Sequence, residues 1–137
     1  MTSSTVTDRY AGPALSLLRI VAAIIYLPHG LQKAFGMFGA PPVQHYATIQ
    51  GAALFIECIF GVLILIGLFT RVSAFIASGE MAVAFFLFHY PKGLLPIMNH
   101  GETPVLLCFV FLFIAAAGPG PFSVDALLAR RSSSLKM

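Results

Sequence analysis

Residues 50–90 read QGAALFIECIFGVLILIGLFTRVSAFIASGEMAVAFFLFHY, two apolar runs that meet at Thr70 and Arg71. A hydrocarbon core about 30 Å thick takes roughly 20 helical residues to cross, and each run is long enough. The joint is so short that the two helices must be antiparallel neighbours. Both runs are continuous rather than alternating, which argues against half-buried strands and against the strands of a membrane barrel.

Working outward, two further apolar segments come into view at residues 14–35 and 103–118. GAPP at 39–42, Thr70-Arg71 and PKGLLPIMNHGE at 91–102 separate the four, and GPGP at 118–121 stops the last. The expected fold is all-α, a transmembrane four-helix bundle forming one domain over residues 1–137, with spans at 14–35, 50–69, 72–90 and 103–118. The first segment is read as a retained helix rather than a cleaved signal. It is longer than a signal core and carries Arg19 within it.

Composition agrees. Hydrophobic residues make up 58% and charged residues 9%, against about 25% charged in soluble domains. Such a chain cannot cover a water-facing surface, and its natural partner is the lipid bilayer. The net charge of +3 is not gathered into a basic face or run, so nucleic acid is excluded. With four crossings, Arg9, Arg71, Arg130, Arg131 and Lys136 share one side and Lys92 lies opposite. By the positive-inside rule both termini are then cytoplasmic. Cys58 and Cys108 sit inside apolar runs without metal-ligand spacing, so neither a zinc site nor a disulfide framework is expected.

Polar residues inside the spans carry the functional reading. A charge at the bilayer centre costs about 2.5–3.5 kcal/mol on insertion scales, so each needs a partner or a wet cavity. At 100° per residue, Tyr26, His29 and Lys33 project within about 80° of Arg19, giving the first helix one polar face. Gly30 lies on that face, where a missing side chain admits another helix or a ligand. The second helix offers Glu57 and the third Glu80. Depth along the helices pairs Arg19 with Glu80 as a structural ion pair, and gathers His29, Lys33, Glu57 and Glu102 toward the outer side. A haem held by His29 and His89 is disfavoured. His89 falls about 180° from Glu80 on a regular helix, so only one of them can face the core.

These residues occur in a recognisable order: LLRI with Arg19, HGLQKAFG with His29, Gly30 and Lys33, IECIFGVLILIGLFTR with Glu57 and Arg71, NHGETPVLL with Glu102, and GPGPFSVD with Asp125. In this the chain resembles the DoxX family of small bacterial four-helix membrane proteins. The resemblance implies a multi-pass protein of the bacterial inner membrane, either a membrane subunit of a quinone-linked oxidoreductase or an accessory protein of oxidative stress.

The leading expectation is a redox-linked subunit that binds a quinone-like molecule near the periplasmic side. His29 and Lys33 would bond the quinone oxygens, Tyr26 and Gly30 would complete the ligand contacts, and Glu57 or Glu102 would handle protons. No cofactor intrinsic to the chain and no metal is expected, because there is no glycine-rich dinucleotide loop and no cysteine cluster. Electrons would come from a partner redox protein, and a homo-oligomer is the other partner expected. The alternative is a non-catalytic accessory or scaffold protein whose polar pairs hold the bundle and dock that partner. A proton-coupled carrier fits less well, since no repeat or broken half-helix pattern is present.

Overall fold

A computed structural model describes residues 6–134. The described residues are all-helical: α1 (Val6–Phe35), α2 (Ile49–Ile66), α3 (Thr70–Ala84), α4 (Pro96–Asn99), α5 (Glu102–Ala117) and α6 (Val124–Ser134). The helical path of α3 continues through a π-helical turn at Phe85–His89 and a 3-10 turn at Tyr90–Lys92. Three segments are long and apolar enough to cross a membrane, Arg9–Phe35, Ile49–Ile66 and Thr70–Lys92, while the apolar Glu102–Ala117 is shorter.

The helices α1, α2, α3 and α5 pack in a ring, each on the next and α5 back on α1. Small residues make the close approaches in its middle: Ala22 and Ala23 of α1, Ala74 and Ala77 of α3. Tyr26 meets Phe111 of α5 edge to face, with ring centroids 5.0 Å apart. The distribution of polarity is the reverse of a water-soluble bundle. Leu17, Val21, Ile24, Phe55, Ile59, Phe75 and Phe109 are exposed, whereas Ser16, Arg19, Glu57, Thr70, Ser73 and Ser78 are buried. An apolar skin over a polar interior is what lipid, not water, stabilises.

Helix ends at one pole of the ring are closed by side chains. Gly67 takes a left-handed conformation (φ 73°) that ends α2, its N–H returning to the Leu63 and Ile64 carbonyls. The turn to α3 therefore lies at 67–69, slightly ahead of the Thr70-Arg71 joint expected from sequence. Arg19, 1% exposed, donates to the carbonyls of Ile64 and Leu65 in the last turn of α2 and to those of Pro119 and Phe122 beyond α5. Arg71 does the same for α5, reaching the carbonyls of Ala115, Ala116 and Ala117. Both arginines thus occupy helix C-termini, where free carbonyls and the helix dipole favour a cation.

The expected Arg19–Glu80 ion pair does not form. Tyr26, seven residues after Arg19, bonds Glu80 instead, which puts Glu80 two helical turns, about 10 Å, beyond the level of Arg19. Free backbone carbonyls are the nearer acceptors.

The sequence places no helix beyond GPGP, yet α6 follows it. Ser123 caps α6 by accepting from the Ala126 N–H at 3.1 Å. Asp125 accepts from the N–H groups of Phe69 and Thr70, both at 2.9 Å, and so caps α3 from another helix. Burial alone would raise the Asp125 carboxyl. The N–H donors of Thr70 and Phe69 and the Arg19 charge outweigh it and hold the group below its ordinary value of 3.8.

Two outcomes follow at this pole. Arg19→Lys, which can reach only some of the four carbonyls, is expected to lose about 3 kcal/mol of stability in detergent unfolding, and Arg71→Lys, at an exposed site, less. Asp125 stabilises fully above its unfolded-state value and loses that contribution as pH falls through its depressed folded value. Asp125→Asn should therefore melt below the wild type at pH 7, with the difference narrowing only as pH falls below 3.8 and through the depressed folded value.

Candidate functional site

At the opposite pole, where α1 and α3 end and α2 and α5 begin, the ring encloses a half-open cavity of ≈ 390 Å³. Small-ligand pockets run from about 300 to 1,000 Å³. Its polar lining comes from every helix of the ring and from the connection between α3 and α5. His29 and Lys33 reach it from α1, Gln50 and Glu57 from α2, Glu80 and His89 from the α3 arm, and His100 and Thr103 from around the start of α5. Apolar wall is supplied by Ala53, Met81, Ala84, Phe88 and Pro104.

The strongest interaction in the cavity joins Lys33 to Glu57. The Lys33 Nζ lies 2.6 Å from Oε1 and 2.7 Å from Oε2 of Glu57, so both carboxylate oxygens are taken. Glu57 is 2% exposed and Lys33 28%. The pair forms because Gly30 lets α1 and α2 touch. A Cβ at Gly30 would come within 2.9 Å of the Cys58 backbone nitrogen and of the Glu57 Cβ. Gly30 is thus a point of close contact between α1 and α2. Tyr26 is wholly buried, and its hydroxyl donates to Glu80 Oε2 at 3.1 Å. It holds the wall of the cavity from behind.

Glu102, expected beside Glu57, opens α5 but is exposed, and it does not line the cavity. Its neighbour Thr103 does, one helical step of 100° away. Glu80, expected in an inner ion pair, lines the cavity in its place.

His89 and Glu80 were expected on opposite faces, yet both line the cavity. The π-helical turn explains this. Its wider loop, closed where the Tyr90 N–H returns to the Phe85 carbonyl, takes in one extra residue and sets the chain back by about 100°. Nine residues then separate the two by about 80° instead of 180°. His89 is fixed from the other side. Its Nδ1–H donates to the Asn99 carbonyl at 3.0 Å, which in the neutral ring leaves Nε2 as an acceptor. Asn99 is itself buried, donating to the Gly93 carbonyl and accepting from the Gly101 N–H. His100 follows in a left-handed conformation (φ 57°) at the end of α4. Asn99 and His100 were legible only as loop residues and His89 only as a span residue turned away from Glu80, because the signal that assembles them is a turn type without a sequence period.

The DoxX family model matches residues 14–90, which run from α1 through the π-helical turn. The chain belongs to the DoxX family. An uncharacterized protein of Haemophilus influenzae is 36% identical over 86% of this chain and 92% of its own length. An uncharacterized membrane protein of Mycobacterium tuberculosis is 27% identical, covering 89% of this chain and 85% of its own. The inner membrane protein YqjF of Escherichia coli is 29% identical over 82% of this chain and 90% of its own. No solved structure matches. With its inverted surface and membrane-length helices, this DoxX chain is a membrane protein.

The Lys33–Glu57 pair admits a direct test. Lys33→Met leaves a carboxylate buried without its cation and is expected to cost about 3–5 kcal/mol. Adding Glu57→Gln to it should recover most of that loss. Unfolding of both single variants and the double variant in mixed micelles gives the coupling energy.

Proposed function

We propose that this DoxX chain is a four-span protein of the bacterial inner membrane, both termini cytoplasmic, that binds a quinone-like molecule in the outer cavity. The topology rests on charge and packing together. Arg9, Arg71, Arg130 and Arg131 gather at the pole of the α2–α3 turn, and the cavity with its histidines is at the other. The helix α5 is short for a span, and the Gly101 and Gly118 segments at its ends complete the crossing.

The observation that carries the ligand reading is the cavity itself. Its walls are largely apolar, and histidines, a lysine and two carboxylates converge on it, as a flat apolar ring with polar oxygens at its edge would need. His29 and the Lys33 ammonium are donors to a quinone oxygen. Lys33 keeps one N–H beyond the two directed at Glu57. Glu57 serves chiefly to hold Lys33. Proton exchange falls to His89 Nε2 and to Glu80, rather than to Glu102. When bound, a quinone takes up two electrons and two protons. The electrons are supplied by a partner redox protein, and this chain supplies the binding site and the protons.

A scaffold role is the second reading, favoured by the completeness with which Arg19, Arg71 and the Lys33–Glu57 pair are satisfied inside the chain. Mass spectrometry of lipids that co-purify in mild detergent separates the two. A stoichiometric quinone in the wild type, depleted at least tenfold in His29→Ala and His89→Ala while both variants still elute as folded protein, is the expected result. Equal, background quinone in all three would leave the scaffold.

A further inference from the structure

The cavity does not end at the polar residues. A second cavity of ≈ 210 Å³ lies between α2 and α3, and it shares Ala53, Glu80, Ala84 and Phe88 with the first. The rest of its lining is aliphatic: Ile49, Ala52 and Ile56 from α2, Ile76 and Val83 from α3. Glu80 is the only polar side chain in it.

Its position along the helices gives it a direction. Ile49 is the first residue of α2, at the outer pole, and Ile56 lies two turns further in, about 10 Å deeper. On the other wall Phe88 stands near the outer end of the α3 arm, and Ile76 lies well toward the α2–α3 turn. The groove therefore starts beside the polar cavity and runs down toward the middle of the bilayer. Ile49 and Val83 on its flanks are 48% exposed each, so it opens on the surface that lipid covers. Two alanines, Ala53 and Ala84, stand at the junction, where larger side chains would close it.

We propose that this groove is a lateral portal, and that the ligand of the outer cavity is an amphipath with a single long hydrocarbon tail. The polar head sits among His29, Lys33 and His89, and the tail leaves past Ala53 and Ala84 between α2 and α3 into the membrane. The inference rests on the quinone reading above and narrows it to tailed quinones that enter from the bilayer. Two turns of groove accommodate about 10 Å of tail, so chain beyond that length adds little to affinity. The continuity of the two cavities is what assigns the occupant. A groove filled by an unrelated lipid would have no need to open onto Glu80 and the polar pocket.

The test compares two ligands in detergent-solubilised protein: a benzoquinone carrying an isoprenoid tail, and the same ring with no tail. Binding is followed by equilibrium dialysis and mass spectrometry for the wild type, Ala52→Phe and Val83→Phe, both at positions that line the groove and not the polar cavity. Val83 faces lipid, so its variant narrows the groove without entering the core, and thermal melting checks that both variants are folded. The wild type is expected to hold the tailed quinone at least tenfold more tightly than the bare ring. Both variants should lose that preference while keeping the bare ring within about twofold. Equal affinity for the two ligands in the wild type, unchanged by either variant, overturns the portal and leaves the quinone site standing. Binding of neither ligand overturns the quinone reading and the portal with it.

Discussion

The guanidinium of Arg19 is the contact on which this architecture turns. A helix in lipid leaves carbonyls at its C-terminus that no water can reach, and each one left unmet costs several kcal/mol. Arg19 meets carbonyls from two segments at once, the last turn of α2 and the 119–122 connection that follows α5. It therefore fixes three parts of the chain against each other from within α1. Ser16 reinforces the arrangement one turn earlier, its Oγ accepting from the Phe122 N–H at 3.1 Å. A lysine could neutralise the dipole but not present several planar donors in different directions.

That polar seal at one pole frees the other pole to stay open. Arg19, Arg71, Ser123 and Asp125 close the ends of α2, α3, α5 and α6 near the α2–α3 turn. At the far end α1 and α2 are pinned by Lys33 and Glu57, while the α3 arm departs from regular helix and winds through Phe85–His89. A π-helical turn sacrifices regular packing for a change of direction, and such turns gather at functional sites. Here it brings an imidazole and a carboxylate to one wall. The sealed helix ends and the open cavity are placed at opposite ends of the same four helices.

The sequence showed the broad architecture plainly, because lipid imposes few solutions. Long apolar runs, breakers between them and a polar face on α1 were enough to find the helices and to bring His29, Lys33 and Glu57 together. What stayed hidden has a common cause. Charge-pairing logic sought a carboxylate for Arg19, whereas its acceptors are backbone carbonyls, which every residue has and no residue type marks. The 3.6-residue period placed His89 opposite Glu80, and one inserted residue in a π-helical turn undid that. Tyr26 and Gly30 were placed on the polar face of α1, but that face makes helix contacts as well as lining the cavity, and spacing alone does not divide the two uses.

Glu80 then stands where these threads meet. It is held from inside by the Tyr26 hydroxyl, it lines the polar cavity, and it is the one polar side chain of the lipid-side groove. A carboxyl that borders hydrocarbon on one side and histidines on the other is costly unless its proton can leave or return as its surroundings change. In the proposed function this position suits it to pass a proton between the cavity and the ligand, whereas Glu57 is locked to Lys33 and Glu102 is exposed. The proposal thus moves the proton-handling role inward, onto a residue whose sequence context suggested only structural glue.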